Sequence, residues 1–157
     1  QARELITLTP GARTLCRTLN RLGYQIVLVS GGFTNVIEPI ARELGVSAVR
    51  ANTLEVIDDV ITGNVLDPIM DREGKRQALM HFAQEFNIPN RRTIAIGDGA
   101  NDIDMISQAG LGVAFNAKNV LRERADTTVN VPYLDSVLYL LGITRDEILR
   151  SDRDGKI

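Results

Sequence analysis

The stretch QIVLVSGG, residues 25–32, runs a row of branched apolar residues into a serine and two glycines. A short apolar run without alternation marks a strand buried on both faces, as in parallel sheets covered by helices. The Ser-Gly-Gly that ends it reads in two ways. It is a plain turn, or it is a phosphate seat, a hydroxyl and bare backbone N–H groups at the mouth of a helix. These residues alone do not choose between the two.

Outward from this run, helix and strand alternate. Residues 11–22 carry Ala12, Leu15, Cys16, Leu19 and Leu22 at helical spacing, which places Cys16 in the core. Residues 33–44 read as a helix with Gly45 as its C-cap. Residues 54–66 alternate and suggest a small hairpin around Thr62-Gly63. Residues 76–86 form a helical pattern with Ala78, Leu79, Phe82, Ala83 and Phe86 on one face; His81 falls on the other, as a solvated residue without a role. Strands are expected at 93–96, 111–115 and 128–131, and helices at 102–109, 121–124, 134–141 and 144–150. The expected fold is therefore α/β: three layers, a Rossmann-like parallel sheet with helices on both faces, plus a small β-hairpin. One domain is expected over residues 1–150, with a polar, frayed tail at 151–157.

Composition narrows the function. The 157 residues suit one domain, and a net charge of −2 gives no electrostatic case for nucleic acid. No apolar run approaches the roughly 20 residues that cross a bilayer. The opening residues lack the apolar core of a signal peptide, and the single cysteine fits a reducing cytosol, so a cytoplasmic protein is expected. The chain begins with Gln1 rather than Met and reads as part of a longer protein.

In parallel sheets, ligands gather at the carboxyl ends of the strands. Ser30 stands at one such end and IGDGANDID, residues 96–104, at another. The loop starts like a dinucleotide fingerprint, but Asp102 takes the place of the third glycine and Asp98 stands between the first two. Carboxylates there repel a pyrophosphate unless a cation intervenes, so the loop reads as a site for Mg²⁺, a hard ion suited to carboxylate, phosphate and water oxygens. A helix cap explains Asp102 alone but leaves Asp98 and the glycines without a reason. Lys75, in DREGKRQAL, begins the amphipathic helix on its polar side; a phosphate held by Mg²⁺ needs such a fixed cation as the phosphoryl group transfers.

Together these stretches resemble the core of the phosphoserine phosphatase family, in the haloacid dehalogenase superfamily. The resemblance runs from TPGARTLCRTLNRLGY through VSGGFTNVIEPIARELGV, LEVIDDVITGNV, GKRQAL and GDGANDIDM to GLGVAFNAK and LDSVLYLLG, nearly the whole chain. It implies a Mg²⁺-dependent hydrolase that releases phosphate from O-phosphoserine in serine biosynthesis. By match, Ser30 hydrogen-bonds the substrate phosphate with help from the Gly31 N–H. Lys75 contacts the phosphate and the nucleophile, Asp98 ligates Mg²⁺, Asn101 touches the phosphate, and Asp102 supports the metal site from behind. On this reading the Ser-Gly-Gly is a phosphate seat. The partner is a small phosphomonoester; a homodimer is left open.

The family's nucleophile is the first Asp of an Asp-x-Asp-x-Thr motif, which forms an aspartyl-phosphate. The motif is absent from these residues: Asp102-x-Asp104 lies in the acidic loop, and Asp152-x-Asp154 in the expected tail. The helical cap that reads serine's amino and carboxylate groups is absent too. The chain is therefore expected to be inactive alone, its nucleophile lying elsewhere in the parent protein. The competing readings are another small-molecule phosphatase of the superfamily, and a non-catalytic module that keeps the Mg²⁺ and phosphate seat. In the family, the nucleophile's strand lies between those ending at Ser30 and Gly97. The expectation here is that the two strands stay apart and do not pair.

Overall fold

The computed structural model describes residues 7–154. Its elements are α1 (Ala12–Arg21), β1 (Val27–Phe33), α2 (Thr34–Leu44), β2 (Ala48–Ile57), β3 (Val60–Leu66), α3 (Arg72–Glu85), β4 (Ile94–Gly97), α4 (Ile103–Gln108), β5 (Leu111–Phe115), α5 (Asn119–Arg122), β6 (Thr127–Val129), α6 (Val137–Leu140) and α7 (Arg145–Asp154). Single 3-10 turns cover Asn90–Arg92, Ala100–Asp102 and Leu134–Ser136.

The strands form two three-stranded sheets, ordered β1-β2-β3 and β4-β5-β6. β1 and β2 are parallel and β3 returns antiparallel, whereas β4, β5 and β6 are all parallel. Among the described residues no ladder joins β1 to β4, so the two strands do not close on each other, as the sequence reading expects. Each is hydrogen-bonded within its sheet along one side only.

Alternation along β5 divides the core. Val113 and Phe115 face Leu15 of α1, Val129 of β6, Val137 and Leu138 of α6 and Ile148 of α7. Ala114, on the opposite face, joins Ala95 of β4, Ile103, Met105 and Ile106 of α4, and Leu121 of α5. Leu79 of α3 packs against that second cluster, while Ala78 and Phe82 of the same helix pack with Met70 against Val27, Val29 and Ala48 of the first sheet. α3 thus touches both sheets, and helices cover both faces. Cys16 lies in the core as expected, and burial pushes its thiol up from the usual value. Gly45 caps α2 in the left-handed conformation.

Four local expectations are corrected. The hairpin turns at Asp58-Asp59, with φ of 49° and 62°, and Thr62-Gly63 lies inside β3. Two successive positive φ angles give the twist that a two-residue hairpin needs, and Asp tolerates them. α3 begins at Arg72, four residues earlier than the apolar pattern indicates, because Asp71 caps it by accepting the Gly74 N–H at 2.8 Å. Lys75 therefore sits inside the first turn and is buried, not on a polar face. At the other end, α7 continues to Asp154, and buried Ser151 donates to the Glu147 carbonyl at 3.0 Å. His81 is exposed and lies 3.1 Å from Glu85 one turn on.

Candidate active site

The acidic loop leaves β4 at Gly97 and enters the 3-10 turn Ala100–Asp102 before α4. Asp102 organises it. Its carboxylate Oδ2 accepts the backbone N–H groups of Asp98 and Gly99, each at 3.2 Å, and so folds the loop back on itself. Gly97 is required here by close approach: a Cβ on it would fall 2.6 Å from the Asp102 carboxylate.

The other oxygen of Asp102, Oδ1, accepts from Lys75 Nζ at 2.7 Å, and the two side chains are only 7% and 8% exposed. A buried ion pair survives because each charge neutralises the other and further hydrogen bonds satisfy the carboxylate. Asp102 has all three acceptor bonds, whereas Lys75 keeps donors unspent among the described residues. Lys75 is thus a fixed cation with hydrogen-bonding capacity left for an anion. Gly74 next to it cannot carry a side chain, since a Cβ would lie 2.0 Å from the Ile69 carbonyl oxygen.

Asp98 is exposed, and its carboxylate makes no hydrogen bond or ion pair among the described residues. Its backbone carbonyl accepts the Lys118 N–H at 3.4 Å, which ties the loop to the segment after β5. Among the described residues no group of three or more His, Cys, Asp or Glu side chains could hold a metal unaided. The exposed Asp98 carboxylate is a hard oxygen donor, the type of ligand that Mg²⁺ takes one or two of from a protein. Asn101 is exposed on the 3-10 turn and bonds none of the other candidates.

On β1, Ser30 Oγ accepts the Gly32 N–H at 3.0 Å. That bond uses a lone pair and leaves the hydroxyl hydrogen free to donate. The residue that connects this turn to the rest of the site is Asn52 of β2, which sequence reasoning missed. Its Nδ2 donates to the Gly31 carbonyl at 2.8 Å, and its Oδ1 accepts the Met70 N–H at 2.7 Å. Met70 lies just before the cap of α3, the helix that carries Lys75. A lone amide side chain in the strand run AVRANTLEV was the available signal. The structure thus links Ser30 and Gly31, through Asn52, to Lys75, and Lys75 to Asp102 and the Asp98 loop. Arg72, unremarked in the sequence, and Asp104, read there only as part of the acidic loop, add a bidentate pair across α3 and α4 at 2.6 and 2.5 Å, and the Arg72 guanidinium holds the Asp104 carboxyl below its usual value.

Comparison with known proteins supplies the family. Residues 1–107 match the haloacid dehalogenase-like hydrolase family. The chain is 57% identical over 152 residues to a phosphoserine phosphatase of Streptomyces coelicolor, covering 97% of this chain and 37% of that protein. It is 56% identical over 149 residues to a phosphoserine phosphatase of Mycobacterium tuberculosis, covering 95% of this chain and 36% of the relative. A crystal structure of phosphoserine phosphatase in apo form superposes with a TM-score of 0.81 at 38% identity, over 87% of this chain and 68% of that one. The chain spans little more than a third of the two curated relatives. With two thirds of its length matched by the family and its fold shared, this chain belongs to the haloacid dehalogenase-like hydrolases, among the homologues of phosphoserine phosphatase.

Proposed function

We propose that the protein carrying this chain is a Mg²⁺-dependent phosphomonoester hydrolase that converts O-phosphoserine to serine and phosphate. The observation that carries the reading is the buried Lys75–Asp102 pair at the carboxyl end of β4, with an exposed, unpaired Asp98 on the loop it holds. The names of the similar proteins supply the substrate.

Each residue has a part. The Ser30 hydroxyl and the Gly31 N–H hold phosphate oxygens, and Asn101 adds a polar contact from the far loop. Lys75, with donors to spare, neutralises charge that grows on the phosphoryl oxygens as the group transfers. Asp98 would hold Mg²⁺, which supplies electrostatic stabilisation of the phosphoryl oxygens. Asp102 acts through its neighbours: it fixes the Lys75 ammonium on one side and the Asp98 backbone on the other. The phosphoryl group is accepted by an aspartate outside this sequence, since no Asp-x-Asp-x-Thr occurs within it. A strand between β1 and β4 would carry that aspartate. It would also satisfy the backbone groups on the two sides that face no partner among the described residues.

The test is phosphate release from O-phosphoserine by the full-length protein, with Mg²⁺ and after chelation. Metal-dependent release of serine is expected, and residues 1–157 alone should show none. An inactive full-length protein that still binds Mg²⁺ and phosphate would support the non-catalytic module instead.

A further inference from the structure

The interface between α3 and the segment that runs from the 3-10 turn into α4 is crossed by two ion pairs. The inner one, Lys75 to Asp102, is buried; the outer one, Arg72 to Asp104, is half exposed. Arg72 and Lys75 are three residues apart on α3 and so emerge on neighbouring sides of one turn. Asp102 and Asp104 are two apart where the 3-10 turn passes into α4. The same two segments are therefore joined twice within one turn.

Leu79 packs α3 on the α4 cluster one turn further along, and apolar packing is not directional; at the first turn of α3 a second bond beside the Lys75 pair fixes orientation. The outer pair is well made for this. Arg72 Nε and Nη2 donate to Asp104 Oδ2 and Oδ1 at 2.6 and 2.5 Å, a fork on a carboxylate that fixes orientation as well as distance. Arg76, one turn on, cannot take over the role, because Glu73 holds it with two bonds at 2.9 and 2.6 Å. Exposed pairs add little to stability, so an exposed fork set beside a buried catalytic cation has its use in alignment.

We propose that Arg72 and Asp104 form an outer clasp that keeps Lys75 and Asp102 in register, and that both are positioning residues for phosphoryl transfer. The inference rests on the proposed phosphatase activity for its kinetic consequence, but its structural content stands without it. Without the clasp, α3 rocks against the loop, and the Lys75 ammonium and the Asp98 loop lose their fixed relation.

Two measurements on the full-length protein test it. In steady-state kinetics with O-phosphoserine and Mg²⁺, Arg72→Ala should lower kcat about 3–10-fold, well inside the ~100-fold that a misplacement of about 1 Å costs, with KM little changed. Arg72→Lys, which keeps the charge but not the fork, should recover only part of that loss. The exchanged pair Arg72→Asp with Asp104→Arg should recover most of it. Independently of activity, hydrogen exchange of the Asp98 and Gly99 amides should quicken by about tenfold in Arg72→Ala, while the β5 amides keep their wild-type rates. Unchanged exchange at Asp98 and Gly99, or a kcat loss that the exchanged pair does not repair, would overturn the clasp. A wild-type protein that releases no phosphate would instead strike the proposed function, with exchange still deciding the clasp.

Discussion

The two sheets support their halves of the site differently. β4 and β5 are short and parallel, β5 is buried along nearly its whole length and β4 is half-buried around Ala95, and the loop after β4 is cross-braced by the Asp102 carboxylate and the Lys75 ammonium. β1 is only half-buried, and its sheet ends in β3, a strand exposed along its whole length with Val60 at 65%. The Ser30–Gly32 turn has no buried charge to hold it and depends on Asn52 for its link to α3. The difference shows where bracing is placed: under Lys75 and the Asp98 loop, to which the proposed function gives the charge and the metal, more than under Ser30, to which it gives the phosphate.

If that contrast governs function, the largest effects belong to the β4 side. Asp98→Asn in the full-length protein should lower turnover about 100-fold or more, because a neutral amide holds Mg²⁺ poorly. Near-normal kcat would remove Asp98 from the metal site and break the comparison at its strongest point. Next comes the buried pair. Lys75→Ala leaves the Asp102 carboxylate buried without its cation, at a cost of about 3–5 kcal/mol in unfolding free energy. Replacing both partners with Met and Leu should cost less than either single change, since no charge is left unpaired. Urea denaturation of the three variants decides this, and a double variant as unstable as the worst single one would show that packing, not charge, makes the pair matter.

What the sequence disclosed follows the same division. β5 was legible to the residue, because LGVAF between glycine and asparagine offers nothing except a buried strand. The acidic loop stood out in the sequence because a carboxylate between two glycines, Asp98, is not explained by a turn or a cap; the structure gives Asp102 and Gly97 a structural reason, Asp102 folding the loop and crowding Gly97. Lys75 was misplaced onto a polar face, since apolar periodicity cannot see a charge buried by an ion pair formed 27 residues away. The hairpin turn was missed because Thr-Gly is a familiar turn signal, while Asp58-Asp59 takes positive φ without any glycine. Asn52 and Arg72 act through partners distant in sequence, and single-residue patterns do not encode partners.

On the β1 side smaller effects are expected. Asn52→Ala removes two hydrogen bonds and leaves the Gly31 carbonyl and the Met70 N–H to find water, at about 1–3 kcal/mol of stability. Its kinetic signature should be a raised KM for O-phosphoserine more than a lowered kcat, since it displaces the phosphate seat and not the cation. A pure kcat effect would mean that Asn52 serves Lys75 through Met70 instead. Ser30→Ala should weaken phosphate binding by about 1–2 kcal/mol, one hydrogen bond to a charged group, measured as the inhibition constant of inorganic phosphate.

The smallest effect lies outside both halves, on the solvent side of α3. There the Arg76 guanidinium and the Gln77 amide hold the Glu73 carboxyl at about 2, below its usual 4.5. A carboxyl whose folded value is depressed contributes stability that is fully present above its unfolded value and is lost as pH falls toward the folded one. Wild type and Glu73→Gln should therefore differ in melting temperature above about pH 4.5 and converge toward pH 2. Both partners reach into water, so the gap should be small and should shrink at 1 M salt, where screening acts over about 3 Å. The buried Lys75–Asp102 pair, shielded from those ions, should keep its contribution at the same salt. A gap at Glu73 that widens toward pH 2, or that ignores salt, would mean that α3 is braced by its outer charges as firmly as by its inner one, and the contrast between exposed and buried support would fail at the helix that joins the two sheets.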